Sequence, residues 1–173
     1  MNPSRPLPPA SLDALMRQAY TMEIDARVRY TDLADAMETH NNREVAALFR
    51  KMAEVEARHA AQILAQMGWP APPPPEPIAW DGFEAPETVP VDEVHYLMRP
   101  WHALALAMAG ERRAERFFSA IADTASDEAI RAAAIELRDE EREHVELIAR
   151  WMEKVPKPEA DWAEDPDPPR YTD

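Results

Sequence analysis

The sequence predicts an all-α protein built as a four-helix bundle. Three observations carry this prediction. Apolar residues recur with a period near 3.6 in four separate stretches. Ala, Leu, Met, Glu and Arg, all good helix formers, are abundant, whereas Val and Ile are sparse and Gly numbers only 3. The 18 prolines gather at the two ends and in one central stretch, outside the periodic segments. At 173 residues, 46% of them hydrophobic, the chain suits one domain with a sizeable core.

Residues 1–10 are Pro-rich and are expected to form a flexible N-terminus, with the bundle spanning residues 11–155. Ser11 is placed to cap the first helix, which runs to about His40. Its stripe reads Leu12, Met16, Ala19, Glu23, Ala26, Tyr30, Leu33, Met37. "THNNREVA" breaks the pattern, and Asn41 followed by Glu44 reads as a capping box for the second helix. That helix carries Val45, Phe49, Met52, Glu56, His59, Ile63 and Met67, and "GWP" stops it: Gly68 suits the C′ position and Pro70 cannot continue. A Pro-rich crossover over residues 68–91 follows. Polyproline rises about 3.1 Å per residue, so the crossover is long enough for the second and third helices to run parallel. Asp92 is placed to cap a short helical piece ending near Pro100. The third helix is expected from Pro100 to about Thr124, with Leu104, Met108, Glu111, Glu115, Phe118 and Ala122 on its stripe. Either Ser126 or Asp127 starts the fourth, which carries Ile130, Ala134, Leu137, Glu141, His144, Ile148 and Trp151 and ends near Lys154. Residues 156–173 form an acidic, Pro-rich tail, expected to be disordered or draped on the surface with Trp162 and Tyr171 to pin it.

Ionisable residues stand where the stripes call for Leu or Met. Glu-x-x-His occurs twice, as Glu56–His59 and Glu141–His144, and each copy is matched by a Glu on the preceding helix, Glu23 and Glu111. Counting from the first turn near residue 40, Glu23 lies about 17 residues before it and Glu56 and His59 about 15 and 18 after. At about 1.5 Å per residue all three share one height, roughly 25 Å from the turn. Around the second turn, near residue 125, Glu111, Glu141 and His144 match within about a helical turn. Residues i and i+3 share a helix face. A buried unpaired carboxylate costs several kcal/mol or takes up a proton. Arg27, Arg29, Arg58, Arg112, Arg113 and Arg142 fall mostly off the stripes, so a pair of metal cations fits the compensating role. Oxygen donors with one imidazole per metal suit iron or manganese better than a structural zinc site. Glu115 is open between a seventh ligand, a neighbour of the ligands and a solvated edge residue.

Composition excludes other chemistry. The chain has no cysteine, so it forms no disulfide, thiol nucleophile, zinc ribbon or four-cysteine iron site. A net charge of −14 repels nucleic acid and anionic membranes and attracts cations. "MNPSRPLPPA" lacks the apolar core of a secretory signal, and the longest clear apolar run, "ALALAMA" at 103–109, is too short to span a bilayer. No nucleic-acid or membrane partner is expected, and a cytoplasmic location is. No Gly-rich phosphate loop or Ser-His-Asp order is present. His40, His95 and His102 read as capping, surface or packing residues.

"MEIDARVRYTDLADAM", "NREVAALFRKMAEVEARHA" and "AMAGERRAERFF" together resemble the rubrerythrin-like, ferritin-like di-iron carboxylate proteins over about residues 11–150. The resemblance implies a ferritin-like four-helix bundle with a long Pro-rich crossover between helices 2 and 3. It implies Glu23, Glu56, His59, Glu111, Glu141 and His144 as ligands to two Fe ions, with Mn possible. It also implies Tyr30 as a catalytic-site hydroxyl hydrogen-bonded to a bridging carboxylate. Two departures stand out. The extra Glu that rubrerythrins often carry three residues after the third-helix Glu is Ala114 here, with Glu115 one residue further on, and there is no rubredoxin-like module. The implied function is a di-iron oxidoreductase that oxidises Fe(II) with peroxide or O2, of ferroxidase or peroxidase type. A peroxidase needs an external electron donor. The alternative is a non-catalytic iron-binding, storage or delivery protein. A hydroxylase needs an apolar access channel for an organic substrate, and a purely structural bundle needs no metal. Leu15, Met22 and Leu48, on leftover apolar faces, are expected at a homodimer interface.

Overall fold

The computed structural model describes residues 9–77 and 94–164. Among them are four helices and no strand: α1 (Leu12–Thr39), α2 (Arg43–Met67), α3 (Pro100–Thr124) and α4 (Glu128–Met152). α1 with α2, and α3 with α4, form two closely packed hairpins, which join through α1 against α4 and α2 against α3. Each of α2, α3 and α4 has 25 residues, a length of about 37 Å.

Local chemistry sets most of the ends. Ser11 Oγ accepts from Ala14 N at 3.1 Å. Asp127, not Ser126, caps α4, accepting from Ala129 N at 2.8 Å and Ile130 N at 3.1 Å. Gly68 ends α2 in the left-handed conformation (φ 63°) that glycine adopts without steric cost. The α2 cap differs from the Asn41–Glu44 box. Asn41 takes the left-handed conformation itself (φ 57°), so the cap moves one residue on to Asn42, whose Oδ1 accepts from Val45 N at 3.4 Å. Asn42 Nδ2 also donates to Tyr96 O at 3.2 Å and Met98 O at 2.8 Å, tying the segment before α3 to the α1–α2 turn. The short helical piece expected before Pro100 is not helical over residues 94–99; Asp92 lies outside the described residues. At α3, Pro100 occupies the first turn and His102 Nδ1 accepts from Arg99 N at 3.1 Å.

The core has three layers along the bundle. One apolar cluster fills the end at the α1–α2 turn, with Tyr30, Leu33, Met37, Val45, Phe49 and Leu104 among its members. A second fills the end at the α3–α4 turn, with Leu15, Met22, Ile63, Phe118, Ile121 and Ile130. The two turns therefore sit at opposite ends of the bundle, so α2 and α3 point the same way. The described ends of the connection agree: Gln18 Nε2 on α1 donates to Pro77 O at 3.2 Å, while Tyr96 and Met98 meet Asn42. The rest of the expected crossover, residues 78–91, lies outside the described residues.

Leu15 and Met22 are completely buried, and Leu48 packs against the first cluster. For Leu15 and Met22 this corrects the expectation of a leftover interface face: α1 buries a wider sector than its stripe, because it meets both α2 and α4; Leu48, on α2, stays partly exposed. The tail is pinned at Trp162, whose ring packs on His102 at 3.7 Å between centroids and edge-on to His95 at 5.5 Å. Tyr171 lies outside the described residues. No described helix is long and apolar enough to cross a membrane.

Candidate metal centre

Between the two apolar clusters lies a polar layer. Glu23 of α1 meets Glu56 and His59 of α2, and Glu111 of α3 meets Glu141 and His144 of α4. Within each trio, one potential ligand atom per residue lies within 4.8 Å of the others. The four carboxylates are 2–4% exposed. Helix geometry accounts for both trios. The i, i+3 spacing stacks each Glu-x-x-His pair on one face, and equal distance from the turn brings the partner helix's Glu to the same height.

The two trios are near copies. His59 Nδ1 lies 3.6 Å from Glu23 Oε2 and 3.7 Å from Glu56 Oε2. His144 Nδ1 lies 3.2 Å from Glu111 Oε2 and 3.5 Å from Glu141 Oε2. The imidazoles of His59 and His144 stack face to face, with centroids 4.2 Å apart and planes 9° from parallel. This contact brings the trios together across the hairpin–hairpin seam.

The donor set fits metal. His59 Nδ1 is buried and makes no hydrogen bond, although two carboxylate oxygens lie just beyond hydrogen-bond range of it. Bonds of about 2.0–2.2 Å to one ion leave neighbouring ligand atoms roughly 3–4 Å apart, the separation observed. The charge also fits: four carboxylates match two divalent cations. Arg27, Arg58 and Arg112 are exposed. Arg142 engages Glu115 Oε1 at 2.9 Å and Asp139 Oδ1 at 3.2 Å. Glu115 is thereby accounted for as a partly exposed ion-pair partner outside both trios. Partial desolvation raises the pKa of Glu140, beside Glu141, while His59 and His144 pull it the other way.

Tyr30 stands seven residues after Glu23, about two turns along α1. It is 2% exposed, stacked on Phe49 at 6.0 Å in the adjoining apolar cluster. A cavity borders the polar layer, touching Glu56, Glu111 and His144. Its walls are Met52, Val55, Leu147, Ile148 and Trp151. Of these, Met52, Ile148 and Trp151 fall on the stripes read from the sequence. Their role as cavity walls depends on how α2 and α4 face each other, which periodicity does not encode.

A family model described as rubrerythrin matches residues 14–69, the extent of the first hairpin. A crystal structure of an uncharacterized conserved protein from Magnetospirillum magnetotacticum MS-1 is 31% identical with a TM-score of 0.62, and the match covers 86% of this chain and 98% of that one. The chain belongs to the rubrerythrin family. Among curated proteins none matches it. Within this rubrerythrin-family chain the second hairpin, beyond the residues the family model matches, repeats the carboxylate and imidazole pattern of the first. The paired trios are compatible with a di-iron centre.

Proposed function

We propose that this chain holds two iron ions between its four helices and is an oxidoreductase that oxidises Fe(II) with hydrogen peroxide or O2. The observation that supports this most directly is the pair of Glu, Glu, His trios, buried at mid-height and facing each other across the hairpin seam. Glu23, Glu56 and His59 would hold one ion, and Glu111, Glu141 and His144 the other; manganese takes the same donors. When bound, two Fe(II) ions supply the two electrons that reduce peroxide to water.

The chain's residues supply the setting. The four carboxylates neutralise the ions, and the two imidazoles, fixed by their mutual stacking, complete the donor sets. The apolar clusters on either side exclude bulk water and so strengthen every charge interaction between them. Tyr30, buried in one of those clusters, is the hydroxyl we assign to tuning the centre. Y30F should keep its iron and change the oxidation rate. Repeated peroxide reduction needs an external electron donor, because the chain carries no cysteine from which to build a rubredoxin-type site.

The test is metal analysis followed by rapid mixing. About two Fe per chain, oxidised in stopped flow by peroxide or O2, is the expected result, with E56A and E141A each losing metal. A protein that takes up no metal, or whose E56A/E141A double variant keeps its full complement, overturns the reading.

A further inference from the structure

We propose that the oxidant reaches the centre through the apolar cavity between α2 and α4, and that Trp151 is the gate that limits it to a small neutral molecule. This rests on the redox reading above and deepens it by naming the route and the size class of the substrate. At its inner end the cavity touches Glu56 of α2, Glu111 of α3 and His144 of α4, so it meets both trios. Met52 and Ile148 are buried along its walls, while Val55, Leu147 and Trp151 are only partly buried. The cavity thus runs from the ligands toward the surface.

Its dimensions and lining select what passes. The free space is ≈ 10 Å³, room for one water-sized molecule. An ion would have to shed its hydration shell against apolar walls that offer nothing in return, so Fe(II) itself enters elsewhere. Hydrogen peroxide and dioxygen are neutral and have two heavy atoms each. An organic substrate of several carbons does not fit, so a hydroxylase acting on one would need a different structure at this point. Trp151 lies seven residues beyond His144, two turns along the same face of α4. Lys51 of α2 holds its ammonium 4.2 Å from the centroid of the indole. That contact fixes the ring from the opposite helix.

The test uses iron-loaded, full-length protein. V55W and L147W plug the passage from different helices at positions that are not themselves ligands, and W151A widens it. Nitric oxide, a neutral diatomic that binds Fe(II) without turnover, reports access by its uptake rate. With iron content at the wild-type level, both plugs should slow uptake by about tenfold or more. W151A should speed uptake and shrink the preference for hydrogen peroxide over cumene hydroperoxide by a similar factor. Unchanged uptake in both plugged variants, or an unchanged peroxide preference in W151A, overturns the route. If the wild type takes up nitric oxide but oxidises with neither peroxide nor O2, the redox reading fails, and the uptake rates still decide the route.

Discussion

Glu56 is 3% exposed, and in the metal-free protein its carboxylate is bought at the expense of stability. Without cations, four carboxylates crowd one buried layer with only two imidazoles to face them, so removing one relieves like-charge repulsion and a burial cost of about 1–3 kcal/mol. E56L should therefore melt several degrees above the wild type when both are metal-free, at about 2–4 °C per kcal/mol for a chain of this size. Adding Mn(II) should reverse the order, because the wild type then gains binding free energy at both trios and E56L at one. Scanning calorimetry with and without metal reads both arms, and an E56L protein that gains as much from Mn(II) as the wild type would remove Glu56 from the ligand set. The clash between residue type and environment made these positions legible in the sequence. A carboxylate on an apolar stripe needs a reason, and Glu23, Glu56, Glu111 and Glu141 share one. Glu115 also stood on a stripe, but its environment was not legible: the partner that draws it outward, Arg142, comes from another helix.

At the scale of elements, the start of α2 and the approach to α3 depend on the same side chain. Asn42 caps α2 and donates to Tyr96 O and Met98 O. N42A loses a cap worth about 1 kcal/mol and leaves two backbone carbonyls short of a donor, at about 1 kcal/mol each. Urea unfolding should show a loss of roughly 2–3 kcal/mol, and a loss under about half a unit would mean that the tie carries no weight. The sequence placed the cap at Asn41, one residue early, because a left-handed residue and a cap are both roles that Asn fills well.

The tail docks on a titratable surface at the same end of the bundle. Burial, reinforced by the nearby Arg99 charge, holds the His102 imidazole below its ordinary pKa. Its Nδ1 also accepts from Arg99 N, which requires the unprotonated nitrogen. The folded state thus resists a proton that the unfolded chain accepts. The contribution is complete above about pH 6.5 and declines as pH falls below it. The fluorescence difference between wild type and W162F should change on acidification from about pH 7 to 5, and H102Q should abolish that change. A flat difference spectrum across the range would show that the Trp162 contact ignores the charge on His102.

In the whole molecule, each trio belongs to one hairpin, and only the seam between hairpins brings the two together. On the proposed reading, an ion in each trio would tie together the two helices of its own hairpin. At free metal about a hundredfold above Kd, binding to the folded state alone adds about 2.7 kcal/mol, roughly 5–10 °C in Tm for a chain of this length. Chelation of loaded protein should lower the melting temperature by that order, and a melting curve indifferent to chelator would mean that no ion bridges or supports the fold. The net charge of −14 acts in the same direction, since bound cations relieve self-repulsion in the compact state.

Residue order alone was enough to read the helices, their count in the described chain, the height of each ionisable residue and the family resemblance. Those features follow from period, spacing and side-chain type, which are local properties of a chain with a fixed rise per residue. Which flanks of the stripes are buried was settled by the packing of the helices in three dimensions. It put Leu15 and Met22 in the core rather than on a free face, drew Glu115 out to Arg142, stacked His59 on His144 and left a small, mostly apolar cavity beside Trp151. Each of these depends on how one helix is rotated against another. A shift of one residue along the sequence turns a side chain by about 100° around its axis, so no single stripe fixes what stands opposite.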